Sequence, residues 1–88
     1  MNNNLSLYNI FLAVAEAGST LGAAKTLFIS QPAVSKAISK LEASLEVSLF
    51  VRSKKGVRLT DDGLILYDRI KNAFEYIDEG ESVIRERR

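Results

Sequence analysis

The chain contains no cysteine and no histidine. Their absence excludes a disulfide framework, a thiolate metal site, a cysteine nucleophile and a histidine base. No apolar run approaches the roughly 18 residues that a bilayer-spanning helix needs. The asparagine-rich start, Met1 to Asn4, lacks the basic residues of a signal peptide. The expectation is a soluble, cytoplasmic protein without metal or cofactor. At 88 residues and 47% hydrophobic content, it has enough apolar material for one small core and too little for two.

A net charge of +1 conceals an uneven distribution. Residues 1–24 carry only Glu16. Residues 25–60 hold seven lysines and arginines against Glu42 and Glu46, a net of +5, and residues 61–88 return −3. A basic middle between neutral and acidic flanks points to a local surface that faces a polyanion.

Leu7, Ile10, Phe11, Val14 and Ala15 recur at helical spacing up to Gly18, which predicts a first helix. Ser19 or Thr20 caps a second, short one, whose Leu21, Ala24, Leu27 and Phe28 form the apolar stripe, with Gly22 and Ala23 allowing close approach. Only Ile29 and Ser30 separate it from a third helix over 31–45, a connection short enough to force two helices to cross steeply. That third helix opens with a hydroxyl cap and a proline in its first turn, and buries Val34, Ile38 and Leu41. Beyond it, Val47, Leu49 and Val51 alternate, as do Val57 and Leu59 after the turn Ser53-Lys-Lys-Gly56, which predicts a β-hairpin with a lysine-rich tip. Thr60 then caps a helix over 61–86, with Asp61 and Asp62 in its first turn, where carboxylates suit the helix dipole. Side by side at a helix start, these two carboxylates are not an acid and base facing each other across a cleft, so an enzyme is the weakest functional class.

The fold class is therefore mainly α: a winged helix-turn-helix of three helices and a two-stranded hairpin over 1–60, followed by a long C-terminal linker helix over 61–88. That helix would extend about 39 Å at 1.5 Å per residue. Leu64 to Tyr67 can pack on the body. Ile70, Ile77 and Ile84 lie seven apart, and with Leu66, Tyr67, Ala73 and Phe74 they form a seam suited to a second copy of the chain. Gly80 costs this helix about 1 kcal/mol relative to alanine.

The polar face of the third helix is the candidate site. A recognition helix must present a narrow, uncluttered face to a major groove about 12 Å wide. Gln31, Ser35, Lys36 and Ser39 meet that demand: glutamine pairs with adenine, lysine with guanine, and serine with a base or a phosphate. Arg52, Lys54, Lys55 and Arg58 on the hairpin follow closely enough to flank the same duplex. A winged-helix module that binds other proteins is the alternative, and it would have no need to gather its basic residues on this face.

The sequence resembles the N-terminal DNA-binding region of the LysR-type transcriptional regulators. The likeness lies in Phe11 to Ser19 (FLAVAEAGS), Ala23, Ala24 and Leu27, Ser30 to Lys36 (SQPAVSK), Ile38, Leu41-Glu42, Leu49-Phe50, Arg52, Leu59-Thr60 and Gly63. It implies sequence-specific binding to an inverted repeat in double-stranded DNA. Ser30, Gln31, Pro32, Ser35 and Lys36 would be at the major groove, with Ser39 and Lys40 beyond them. Ser19 and Thr20 would touch phosphate, and Arg52, Lys54 and Lys55 would lie in a wing over 49–59 near the minor groove or backbone. It also implies a homodimer through the linker helix, tetramers in a full-length protein, and a small-molecule inducer bound by a further domain outside this chain, which makes an excised fragment the expected origin. Three positions depart from the family pattern, which usually has glycine at Glu46, often arginine at Lys36, and usually alanine at Asp62. A turn under strain is expected at Glu46, and weaker guanine selection at Lys36.

Overall fold

The computed structural model describes residues 4–88, with side chains from Ser6 onward, so most of the asparagine-rich start lies outside the described residues. The element order is α1 (Asn4–Ala17), α2 (Thr20–Leu27), α3 (Gln31–Leu45), β1 (Phe50–Ser53), β2 (Gly56–Leu59) and α4 (Asp61–Glu86). The winged helix-turn-helix with its long last helix is thus the observed architecture. The strands pair antiparallel, Phe50 with Leu59 through Ser53 with Gly56, across the two-residue turn Lys54-Lys55.

Hydroxyl caps start three of the helices. Ser19 Oγ accepts from the Gly22 N–H at 2.9 Å, Ser30 Oγ from Ala33 at 3.2 Å, and Thr60 Oγ1 from Gly63 at 3.0 Å. Each satisfies one of the amide groups that a helix leaves unpaired at its first turn. The core draws on all four helices and the entry to the wing: Phe11 and Val14 from α1, Ala23 and Ala24 from α2, Val34, Ile38 and Leu41 from α3, Leu49 and Phe50 at the wing, and Ile70 from α4, with Val57 and Leu59 of β2 partly buried against it. The Phe11 and Phe50 rings meet at a centroid distance of 5.2 Å, a tilted pairing that fastens the wing to α1.

Three expectations about burial need correcting. In α2 the buried residues are Ala23 and Ala24, while Leu21 and Phe28 face solvent. Phe28 has left the helix: at φ 58 it forms the left-handed cap and is 94% exposed. In the predicted strand, Leu49 and Phe50 are both buried and Val47 and Val51 both exposed, because β1 begins only at Phe50 and the preceding residues form a turn. In α4, Leu64 and Ile65 are exposed. The stripe that reaches the body contains Leu66, Tyr67, Ile70 and Phe74, since a helix can turn only one side to its neighbour.

Two glycines set how closely the parts approach. A Cβ on Gly63 would collide with the Leu49 carbonyl oxygen, and one on Gly56, at φ 121, with the Gly18 carbonyl oxygen. The latter contact accompanies a hydrogen bond of 3.0 Å from the Val57 N–H to Gly18 O, which docks the wing on the turn between α1 and α2.

Glu46 caps α3 at φ 60 and ψ 35, the left-handed conformation that favours glycine. Because a side chain there is disfavoured by about 1–2 kcal/mol, Glu46→Gly should stabilise the domain by about 1 kcal/mol. A thermal melt should show Tm rising by several degrees, and an unchanged or lower Tm would contradict this reading of the turn.

Candidate nucleic-acid interface

The polar face is built where α2 and α3 begin. Gln31, the first residue of α3, directs its Nε2 to Thr20 Oγ1 at 3.0 Å and to Ser35 Oγ at 3.0 Å. Thr20 is the first residue of α2, so this side chain ties the two helix starts together. Ser19 and Ser30 accept amide hydrogens as caps, which leaves each hydroxyl hydrogen free to be donated to an external oxygen. Pro32 is exposed within the first turn of α3, where its missing N–H removes no helical bond. Lys36, Ser39 and Lys40 continue along α3 as exposed residues.

The wing completes the face. Ser19, Thr20 and Leu21 at the start of α2 line one depression of about 220 Å³ together with Arg52, Ser53, Gly56 and Val57 of the hairpin. The structure thus brings Ser19, Thr20 and Arg52 to one concavity, and Thr20, Gln31 and Ser35 into one hydrogen-bonded group. Lys54 and Lys55 are exposed at the hairpin turn, and Arg58 is exposed on β2. A guanidinium beside the open N-terminus of a helix combines two attractions for a phosphate: charge, and the positive end of the helix dipole.

Reasoning from residue types had overlooked Glu42 as a functional group. Its Oε2 accepts from the Leu49 N–H at 2.6 Å and from the Phe50 N–H at 3.3 Å, fastening the C-terminal part of α3 to the start of the wing. The signal was present in the sequence. An acid near the C-terminus of a helix opposes the dipole and calls for another partner.

Of the seam proposed for α4, Ile70 is 6% exposed and belongs to the chain's own core. Leu66, Tyr67 and Phe74 are half-buried against that core, whereas Ala73, Ile77 and Ile84 are exposed. Lys71 Nζ lies 5.9 Å from the centre of the Tyr67 ring.

Residues 5–64 match the family described as "Bacterial regulatory helix-turn-helix protein, lysR family". The chain belongs to the lysR family. Among curated relatives, this LysR-family chain is 40% identical over 75 residues to the uncharacterized HTH-type transcriptional regulator Mb2303c of Mycobacterium bovis. That match covers 85% of the chain and 24% of the relative, so the chain spans about a quarter of that protein's length. Among solved structures, it is similar to the BenM_DBD/benA site 1 DNA complex, at 30% identity and a TM-score of 0.86 with all of both chains covered. It is also similar to the CbnR_DBD-DNA complex, at 37% identity and a TM-score of 0.80, covering 99% of this chain and 95% of that one.

If Glu42 joins α3 to the wing, Glu42→Ala should lower stability by about 2 kcal/mol, the range for hydrogen bonds to a charged group. Glu42→Gln, which keeps an acceptor, should recover part of the loss. Urea unfolding midpoints of the two variants test this, and equal midpoints for Glu42→Ala and the wild type would refute it.

Proposed function

We propose that this LysR-family chain binds double-stranded DNA in the cytoplasm as the sequence-reading domain of a transcriptional regulator, with α3 in the major groove. The observation that carries the reading is the convergence of three anion-facing features on one side: the starts of α2 and α3 and the arginine of the wing. The solved LysR-type domains bound to DNA support it. A module that binds only protein would have no need of that convergence.

In this reading Ser19, Thr20 and Arg52 hold phosphates, which set position and orientation without reading sequence. Ser30, Gln31, Pro32, Ser35 and Lys36 enter the groove, Lys36 donating to guanine O6 or N7, while Ser39 and Lys40 follow the groove wall. Lys54 and Lys55 at the turn reach the backbone or the minor groove. Residues 1–60 thus serve DNA contact and residues 61–88 pairing.

Pairing is the second part of the proposal. Ile77 and Ile84 are 50% and 61% exposed, and Tyr76 and Val83 beside them are exposed as well, leaving an apolar stretch on the distal half of α4. A second copy would cover it, with Leu66, Tyr67, Ala73 and Phe74 extending the contact toward the body and Ile70 packed beneath them. Two copies would place two α3 helices on an inverted repeat, with half-sites one helical turn apart or a multiple of it. In a longer protein, a further domain would bind a small-molecule inducer, and pairs would assemble into tetramers.

The wing is tested by Lys54→Ala with Lys55→Ala. Binding should weaken about equally for all duplexes, and the slope of log K against log salt should flatten by about two, near 0.9 per lost phosphate contact. An unchanged slope would remove these lysines from the interface. Sedimentation equilibrium at tens of micromolar tests pairing: the wild type should be a dimer and Ile77→Glu with Ile84→Glu a monomer. A monomeric wild type would rule out the seam.

A further inference from the structure

We propose that Gln31 reads its base through the carbonyl oxygen alone, and so selects a base bearing an exocyclic amino group in the major groove, adenine or cytosine. The inference rests on the DNA-binding reading above and specifies the ligand of one of its residues. A primary amide has two hydrogens, and the two oxygens 3.0 Å from Gln31 Nε2, Thr20 Oγ1 and Ser35 Oγ, take one each. Among the described residues Oε1 accepts no hydrogen bond, so the atom left for an external partner is an acceptor.

The groups available in the major groove then decide the outcome. Adenine N6 and cytosine N4 are donors, whereas guanine O6, guanine N7, adenine N7 and thymine O4 are acceptors. An acceptor facing Oε1 would take the place of water and leave that oxygen unsatisfied in a closed interface. An unrestrained glutamine evades this choice, since it can swing its amide to offer either end, or bridge adenine N6 and N7 with both. Here both amide hydrogens are taken, by the first residue of α2 and the second turn of α3, all three side chains being half-buried, and turning the amide over would require both hydroxyls to change from acceptor to donor together. Thr20 and Ser35 are therefore positioning residues for the reading head, a role distinct from any phosphate contact of their own. Their restraint also means that less side-chain freedom is lost when DNA binds.

The test has two stages. Selection of bound duplexes from a random pool, by the wild type and by Gln31→Ala, locates the base pair whose preference depends on Gln31. Base analogues at that pair then separate the two ends of the amide. Removing the amino group, with purine for adenine or 2-pyrimidinone for cytosine, should weaken wild-type binding about tenfold and leave Gln31→Ala binding unchanged, which controls for the weaker base pairing. Replacing the purine of the pair by its 7-deaza form, which removes the N7 acceptor, should have no effect on the wild type. Thr20→Val frees one amide hydrogen and should make binding sensitive to the 7-deaza change, while Thr20→Ser keeps the acceptor and should stay insensitive to that change. Sensitivity of the wild type to N7 removal, with amino removal silent, would overturn the inference. So would a selected motif with no position that depends on Gln31, and in that case DNA binding itself would stand. A pool in which nothing is enriched would instead overturn the DNA-binding reading, and this inference with it.

Discussion

One carboxylate decides whether this chain has a usable face. Glu42 accepts two backbone N–H groups at the entrance to the hairpin, and those two bonds convert the end of α3 and the start of the wing into a single rigid piece. A two-stranded hairpin of four-residue strands is marginal by itself, so its orientation must come from whatever holds its base. Glu42 holds one side. Phe50 against Phe11 and the Val57 N–H on the Gly18 carbonyl hold the other. With the hairpin clamped in this way, Arg52 stands beside the start of α2 instead of sweeping through solvent.

The same economy runs through the capping residues. Ser19 and Ser30 accept at their own helix starts and keep a hydroxyl hydrogen for an outside partner, so the groups that end the loops are also the groups that can meet a phosphate. Thr60 both caps α4 and donates to the Ser48 carbonyl at 2.7 Å, tying that helix to the turn before the wing. Helix starts, the wing and the start of α4 are consequently parts of one body, and displacing one moves the others.

Among the described residues, two take left-handed backbone at a steric cost, Phe28 at the end of α2 and Glu46 at the end of α3. Both occupy the single residue position at which a helix must stop so that the next element can turn back across it. At Phe28 the outcome is a bare aromatic ring on the surface. At Glu46 it is a sharp exit that delivers Leu49 and Phe50 to Glu42. Local capping bonds accompany both conformations: the Phe28 and Ile29 N–H groups donate to the Ala24 carbonyl, and the Glu46 and Val47 N–H groups to the Glu42 carbonyl.

Element order, the three hydroxyl caps and the bounds of α3 and α4 were legible in the sequence, because apolar periodicity and capping chemistry act over a few residues. The residue types of the candidate interface were legible for the same reason: short polar side chains between apolar positions have few places to go on a helix. Phe28, Val47 and Val51 were misread because a periodic pattern does not reveal where the backbone leaves the helix or begins to pair, and Leu21 because it does not reveal which side of a short helix the body covers. Tertiary structure alone decided what those side chains do: that Gln31 Nε2 turns inward to Thr20 and Ser35, that Glu42 grips the wing, and that Ile70 is spent within the chain while Ile77 and Ile84 are not. Those outcomes depend on contacts between residues distant in the chain or on separate elements, and such contacts exist only after the core has brought the elements together.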